Sequence, residues 1–150
     1  AGDLSEVGRG LPGSDLLITY VAGPYASGED NRALARWLAE GGRWLALHGT
    51  HGGKAARIGT RGAREMVRLE HHETLGSFFL NHPPARRFRV EVANAEHPLT
   101  RGLPASFEVE DELYLCEFHG EIETLLATRF TGQAVLRREG KANPRRRGRS

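Results

Sequence analysis

The sequence predicts an α/β protein, because two apolar, strand-like runs flank one amphipathic helix in its first third. The stretch SDLLITYVAG (14–23) is apolar, contains β-branched residues and is closed by Gly23 and Pro24. RWLALHG (43–49) is a second short apolar run. Strand, helix and strand within about 35 residues predict a parallel pair with a right-handed crossover. Continuous rather than alternating apolar strands predict a sheet that is covered on both faces.

The helix between these strands carries its own start and stop signals. Ser27 is a suitable N-cap, and Asp30 three residues later predicts a pair resembling a capping box. Gly41 and Gly42 are expected to end the helix. Its predicted apolar stripe consists of Leu34, Trp37 and Leu38.

The remaining chain mixes strands, turns and one more predicted helix. The glycine-rich residues 49–62 predict a loop, and AREMVRLEHHETLG (63–76) predicts a helix that ends at Gly76. Alternating polarity predicts strands over 86–94 and 106–118, joined through a turn segment at 96–104. The last predicted pair is a hairpin formed by residues 123–130 and 133–139 across Thr131 and Gly132.

Composition excludes several classes of protein. The chain has 150 residues, of which 27% are charged and 39% apolar, as expected for one globular domain. It has no apolar run of about 18 residues, so no membrane span is predicted. No signal peptide is visible at the N-terminus, which makes cytoplasm the expected location. Its one cysteine, Cys116, excludes a disulfide framework and a cysteine-based zinc cluster.

The positive net charge belongs to the C-terminal end. Residues 137–150 contain seven Lys or Arg and one Glu, whereas residues 1–136 contain 14 basic and 18 acidic residues. We therefore predict one domain over 1–139 and a basic, disordered tail over 140–150. Such a tail can bind nucleic acid, but the acidic body argues against it.

The stretch HGTHGG (48–53) lies where a ligand site is expected. Ligands of open α/β sheets bind beyond the carboxyl ends of the strands, and this stretch follows the second strand. Its glycines allow close approach of the backbone to a ligand. We predict that Gly49, Thr50 and His51 contact a ligand, the alternative being a crossover loop that only turns the chain.

His48 and His51 also have a spacing that can chelate a metal on a loop, although a metal site normally needs a third ligand. The chain contains five further histidines that could supply it, and with a single cysteine any such site would consist of histidines and carboxylates. The alternative is a set of structural or solvent-facing histidines.

The strand predicted over 106–118 places a carboxylate among apolar residues. At a period of two, Asp111 shares a face with Phe107, Val109, Leu113 and Leu115. A buried Asp111 needs a partner, whereas a bulge would turn it outward. In either case Asp111, Glu112 and Tyr114 bring groups that can act as acids or bases close together. The alternative is a solvated acidic edge strand.

Two motifs, NHPP (81–84) and EHPL (96–99), place a histidine before a proline. Proline holds the preceding residue extended, so His82 and His97 are either rigidly presented imidazoles or parts of ordinary turns. The pattern alone favours turns.

Together these pieces resemble the ThuA-like family, which is named for trehalose utilisation. The matching stretches are LALHGTHGG (45–53), LGSFFLNHPP (75–84) and EHPLTRGLPASFEVEDELY (96–114). Their order and spacing agree over about residues 14–118, and the last block is the most specific.

The resemblance implies a fold and a set of site residues. The implied fold is a flavodoxin-like, class I glutamine amidotransferase-like three-layer sandwich with a mostly parallel central sheet. The implied role is in carbohydrate metabolism, on trehalose or keto-sugars, and the resemblance also implies a divalent metal such as zinc. The implied catalytic residues are His48, Glu112 and Tyr114. His82 is an implied ligand-binding residue and joins Gly49, Thr50, His51 and Asp111, which the patterns above predict. The implied metal ligands are His48, His82, His97 and Glu112.

The sequence departs from the family pattern at both ends. Family members usually begin with a further strand, a glycine-rich turn and a histidine, whereas this chain opens on AGDLSEVGRG. They usually end with a Gly-Lys-Gly-Arg strand and a Gly-His pair, whereas REGKANPRRRGRS (138–150) diverges after Gly-Lys. This is the pattern of a truncated or a diverged copy. Loss of a first strand would expose an edge or an apolar face of the sheet.

Several functions compete on this evidence. The first is a sugar-processing enzyme with His and carboxylate acid/base groups, with or without a metal. The second is a non-catalytic carbohydrate-binding or interaction module. A glutaminase is rejected, because the turn where that chemistry needs a cysteine carries His48. The expected partner is a small carbohydrate, and a homo-oligomer is compatible with the sequence.

Overall fold

The computed structural model describes residues 3–58 and 63–132 of the chain. Within these residues the elements are, in order, α1 (Val7–Gly10), β1 (Leu16–Tyr20), α2 (Gly28–Ala39), β2 (Arg43–Leu47), a 3₁₀ turn (His48–His51), β3 (Lys54–Ile58), β4 (Ala63–Val67), α3 (Glu70–Leu75), β5 (Ser77–Asn81), β6 (Arg86–Val92), β7 (Ser106–Asp111), β8 (Leu115–Phe118) and β9 (Leu126–Ala127). No helix in these ranges has the length and apolar character needed to cross a membrane.

The predicted strand–helix–strand unit is confirmed. Strands β1 and β2 pair in parallel, with Leu16 opposite Arg43 and Tyr20 opposite Leu47. Helix α2 connects them. Because parallel neighbours end at the same edge of a sheet, the segments that follow Tyr20 and Leu47 lie side by side.

Helix α2 begins and ends where the sequence indicates, but Glu70 of α3 rather than a capping box binds an amide at its start. Ser27 occupies the N-cap position without a side-chain hydrogen bond, so the predicted capping box is wrong. Asp30 Oδ1 instead accepts a hydrogen bond from the Gly8 amide at 3.0 Å. Glu70 Oε2 of α3 accepts one from the Gly28 amide at 2.6 Å. Gly41, just beyond the helix, adopts φ +103°.

The hydrophobic core lies between the helices α1 and α2 and one face of the β1–β2 pair. Helix α1 is not predicted by the sequence patterns, yet α1 and its flanking residues supply three of the core side chains. The predicted stripe of α2 faces the same way. The buried members are Leu4, Val7, Leu11, Ala26 and Leu34, with Leu17, Val21, Trp37, Leu38 and Trp44 packed around them.

The opposite face of the β1–β2 pair is exposed, so the prediction of a sheet covered on both faces is wrong for the described residues. Ile18 keeps 59% of its surface accessible and Tyr20 keeps 69%. Leu16, Leu45 and Leu47 are exposed on the same side. Only β1–β2 is parallel among the described sheets, and the other pairings are antiparallel, so a mostly parallel central sheet is not confirmed.

The stretch 49–76 differs most from its prediction. Residues 54–58 form β3 rather than loop, and residues 63–67 form β4 rather than the start of a helix. The two strands pair antiparallel, with Lys54 opposite Val67. This long-range pairing provides backbone partners that local helix propensity does not anticipate. The helix is limited to α3, and Gly76 ends it at φ +76°, as predicted.

The acidic stretch 106–118 is two strands rather than one. β7 pairs with β6 and β8 pairs with β5, so the chain leaves one sheet and enters another between Asp111 and Leu115. Asp111 is exposed, and its Oδ1 accepts a hydrogen bond from the Glu112 amide at 2.7 Å. Of the two predicted alternatives for Asp111, the outward-turned one is therefore correct.

The strand predicted over 86–94 is confirmed as β6. β9 lies within the predicted segment 123–130 but pairs antiparallel with β6. The proposed hairpin partner at 133–139 and the predicted tail at 140–150 lie outside the described residues, so the domain boundary at 139 stays a prediction.

Truncating the core should cost much more than truncating the open face. Leu34→Ala, at a fully buried position, is expected to lower the free energy of unfolding by about 2–5 kcal/mol. Ile18→Ala on the exposed face is the matched control and should cost about 1 kcal/mol or less. Urea denaturation of both variants measures the difference. Equal losses would mean that the exposed face of β1 is covered in solution.

Candidate active site

The candidate site begins at a residue whose backbone is strained. His48 directly follows β2 and adopts φ +47°, in the left-handed region that residues other than glycine rarely enter. The 3₁₀ turn then begins at once, so strand, left-handed residue and helical turn follow one another. This geometry lifts the His48 side chain out of the turn, and 46% of that side chain is accessible. Such strain persists where the surroundings determine the conformation.

The end of β1 supports the turn. A Cβ added to Gly49 would lie 2.6 Å from the carbonyl oxygen of Val21, so only glycine fits this close approach. The Thr50 side chain is fully buried, with Oγ1 at 3.1 Å from Thr19 Oγ1. The amide of Val21 also donates to Thr50 Oγ1 at 3.4 Å. Thr50 therefore anchors the turn between the two parallel strands.

Three of the predicted site residues converge on His48. The Tyr114 hydroxyl lies 3.0 Å from His48 Nε2. Glu112 Oε2 lies 3.7 Å from the same nitrogen, and Glu112 Oε1 lies 3.7 Å from His82 Nδ1. These four residues, His48, His82, Glu112 and Tyr114, are called the His48 cluster below. They come from three distant segments, which meet because the chain changes sheets at 112–114.

Aromatic rings line the His48 cluster. Tyr20, at the end of β1, stacks on His48 with a centroid distance of 5.2 Å and an interplanar angle of 10°. Phe79 of β5 packs against Tyr114 at 4.5 Å. The His82 and Tyr114 rings stack at 5.7 Å. The cluster therefore combines flat apolar faces with a small number of polar atoms, as ligand sites commonly do.

Electrostatics keeps the Tyr114 phenol protonated in the cluster. Burial, together with the nearby Glu112 carboxylate, raises the pKa of Tyr114. The phenol therefore stays protonated at neutral pH and can donate to His48 Nε2 when that imidazole is neutral. His82 Nδ1 lies 2.9 Å from the Pro83 carbonyl, which can only accept, so this nitrogen carries a proton.

Some predicted ligand-binding residues have partners within the fold instead. His51 Nδ1 lies 2.7 Å from Ser77 Oγ, and its Nε2 lies 3.3 Å from the Ala46 carbonyl. Burial lowers the pKa of His51. Thr50 is buried as described above. A ligand-binding role for these two residues, and for Gly49 and Asp111, stays a prediction that no contact in the His48 cluster supports.

The implied metal does not fit the described side chains. The described residues contain no group of three or more His, Cys, Asp or Glu side chains that could hold a metal ion. His97 Nδ1 instead accepts a hydrogen bond from the Leu99 amide at 3.2 Å, within its own turn. No hydrogen bond, ion pair or ring contact within the described ranges joins His97 to the other three proposed ligands.

Sequence reasoning missed two residues that shape the site. Tyr20 was part of a strand predicted to be buried, and Phe79 was part of a quoted motif without an assigned role. Tyr20 is the last residue of β1, so its place at the carboxyl edge was a usable signal. Phe79 lies in β5, three residues before His82. No local sequence pattern indicates that Phe79 packs against Tyr114.

Comparison with known proteins identifies the family. The family model for ThuA, described as trehalose utilisation, matches residues 5–145. The chain belongs to this family. A solved ThuA-like protein from Bacteroides uniformis is similar to it, with 24% identity and a TM-score of 0.63. The match covers 86% of this chain and 52% of that chain, so the ThuA chain described here spans about half of that protein's length. A comparison with curated proteins gave no match.

At position 48 we expect the usual order of stability of alanine and glycine variants to be reversed, because the backbone there is left-handed. In ordinary strands and helices glycine is less stable than alanine by about 0.5–1 kcal/mol. At a left-handed position the Cβ of alanine clashes with its own backbone, so His48→Gly should be more stable than His48→Ala by about 1 kcal/mol. Thermal or urea unfolding of the two variants measures this. A more stable alanine variant would show that position 48 is not left-handed in solution.

Proposed function

We propose that this ThuA protein is a carbohydrate-processing enzyme that uses His48, Glu112 and Tyr114 as its acid/base groups. The observation that carries the proposal is the convergence of an imidazole, a carboxylate and a phenol within 3.0–3.7 Å on a partly exposed surface. Membership of the trehalose utilisation family supports a sugar as the substrate class.

The three groups can play complementary roles in proton transfer. Glu112 is a carboxylate that can accept a proton from a sugar hydroxyl, and the two neighbouring imidazoles can stabilise its charge when protonated. Tyr114 is a neutral donor whose proton can pass to His48 through their hydrogen bond. His48 can then release or receive a proton at its accessible edge. Such groups, placed within hydrogen-bond reach, typically contribute about 10²–10⁴-fold to a rate.

The aromatic rings supply the binding surface. Sugar rings have an apolar face of C–H groups, and Tyr20, Phe79 and Tyr114 offer flat apolar faces beside the polar atoms of the His48 cluster. Tyr20 is 69% accessible, so its ring is available to a ligand. This exposed stack also favours the second candidate, a carbohydrate-binding module without turnover, because stacking alone suffices for binding.

Glutaminase chemistry is excluded from the proposal on two grounds. Burial raises the pKa of the Cys116 thiol to about 11, so it supplies little of the thiolate that a nucleophile requires. Cys116 also lies within β8 rather than on a turn after a strand. The position that opens such a turn is occupied by His48.

Several further expectations stay predictions. They are the flavodoxin-like, class I glutamine amidotransferase-like arrangement of the complete sheet, the cytoplasmic location and a homo-oligomeric state. Binding of nucleic acid through the basic residues 137–150 is not proposed, because those residues lie outside the described ranges.

Binding and turnover of trehalose and of keto-sugars test the proposal. Calorimetry at pH 7 should detect binding to the wild type, and His48→Ala or Glu112→Gln should weaken it by about tenfold or more, which corresponds to about 1.4 kcal/mol. Tyr114→Phe should keep binding but abolish any turnover followed by chromatography.

The matched controls for this experiment are His97→Ala and Glu110→Gln, which replace the same residue types outside the His48 cluster. Both should bind as the wild type does. Binding without turnover by the wild type would favour the module over the enzyme. A folded wild type that binds none of these sugars would refute the proposed function.

A further inference from the structure

Two buried histidines of α3 hold the 3₁₀ turn that carries His48. His71 Nε2 lies 3.1 Å from the Thr50 carbonyl, and His72 Nε2 lies 2.9 Å from the Gly52 carbonyl. Both histidines are completely inaccessible to solvent. Their hydrogen bonds use the carbonyls at the end of the turn, which lie only two and four residues from His48.

The partners of these histidines require both imidazoles to be neutral. A carbonyl can only accept a hydrogen bond, so each Nε2 carries the proton. The Leu69 amide donates to His72 Nδ1 at 2.8 Å, so that nitrogen carries none. His71 Nδ1 is buried without a hydrogen-bond partner, so a second proton there would find no acceptor.

We propose that His71 and His72 form a neutral-imidazole latch on the 3₁₀ turn, and that protonation of this latch releases the turn and displaces His48. The hydrogen bonds described above define the latch. Its role in making sugar binding sensitive to acid rests on the proposed function.

The groups that face the latch oppose its protonation. The two imidazoles lie 3.9 Å apart, and the Tyr25 ring stacks on His71 at 4.3 Å. Burial, then the neighbouring His72 and His51, lowers the pKa of His71 to about 4. Burial also lowers the pKa of His72, and the positive charge of Arg68 adds to this. Within the described part of the chain, none of these facing groups is a carboxylate.

The carboxylates of α3 itself are engaged elsewhere. Glu70 Oε2 binds the Gly28 amide, and Glu73 Oε1 pairs with Arg68 at 2.8 Å. Thr74 Oγ1 also donates to Asn31 Oδ1 of α2 at 3.0 Å. These contacts tie α3 to α2, so α3 can stay in place while the turn separates from it.

The direction of the pH effect follows from the two proton affinities of His71. The released imidazole has its ordinary pKa of about 6.5, whereas the latched one has a pKa of about 4. The released state therefore binds the proton more readily. Acid favours release by about tenfold for each pH unit below 6.5, until the latched form is itself protonated near pH 4.

Hydrogen exchange measured by mass spectrometry tests the latch without any sugar. After correction for intrinsic rates, amides of residues 48–53 should exchange about twentyfold faster at pH 5 than at pH 7, while β1 and β2 keep their protection. In His71→Gln, whose amide can still donate to Thr50 but cannot titrate, this acceleration should become much smaller, because only His72 of the latch can then be protonated. His97→Gln is the matched control and should behave as the wild type does.

Three results would overturn the proposal: no acceleration at pH 5, an equal acceleration over the whole chain, or an unchanged response in His71→Gln. If that variant does not fold, NMR titration of the wild type decides. His71 should stay neutral down to pH 5, and a titration near pH 6.5 would contradict the latch. Calorimetry with trehalose and the keto-sugars at both pH values separates the two proposals. Absence of binding at pH 7 refutes the proposed function alone, whereas equal binding at pH 5 and 7 refutes control by the latch.

Discussion

Burial of the backbone of the 3₁₀ turn is the constraint on which the candidate site depends. Polar backbone groups withdrawn from water need partners, and here His71 and His72 bind the carbonyls of Thr50 and Gly52, while Thr19 holds the Thr50 side chain. With the end of the turn fixed in this way, and with Gly49 against the Val21 carbonyl, the residue before it has little freedom. His48 accordingly occupies a strained conformation and presents its ring to Tyr114 and Glu112.

The remaining part of the site arises from a change of sheets. β7 belongs with β6 and β9, whereas β8 belongs with β5, so the three residues between them pair with neither sheet. Free from strand pairing, Glu112 and Tyr114 reach towards His48 and His82. The exposed apolar face of β1 and β2 lies next to this arrangement, and Tyr20 is the residue that belongs to both.

Sequence patterns predict well what depends on neighbours along the chain. The β1–α2–β2 unit and the stop at Gly76 rest on periodicity and glycine positions. The choice of His48, Glu112 and Tyr114 rests on a family resemblance, and their role stays a prediction. Patterns fail where distant pairing decides. β3 and β4 form because they pair with each other. The first amide of α2 is bound by a side chain of α3, and the stretch 106–118 is divided between two sheets. His71 and His72 read as part of a polar helix, because nothing local shows that the turn will cover them.

The central claim is that this turn brings His48 into a hydrogen bond with Tyr114. Long-range ¹H–¹⁵N NMR of the histidine rings at pH 7 tests it most directly. The His48 Nε2 signal should move in Tyr114→Phe but not in Tyr20→Phe, which keeps the stacked ring. A signal that ignores the loss of the Tyr114 hydroxyl would contradict the claim.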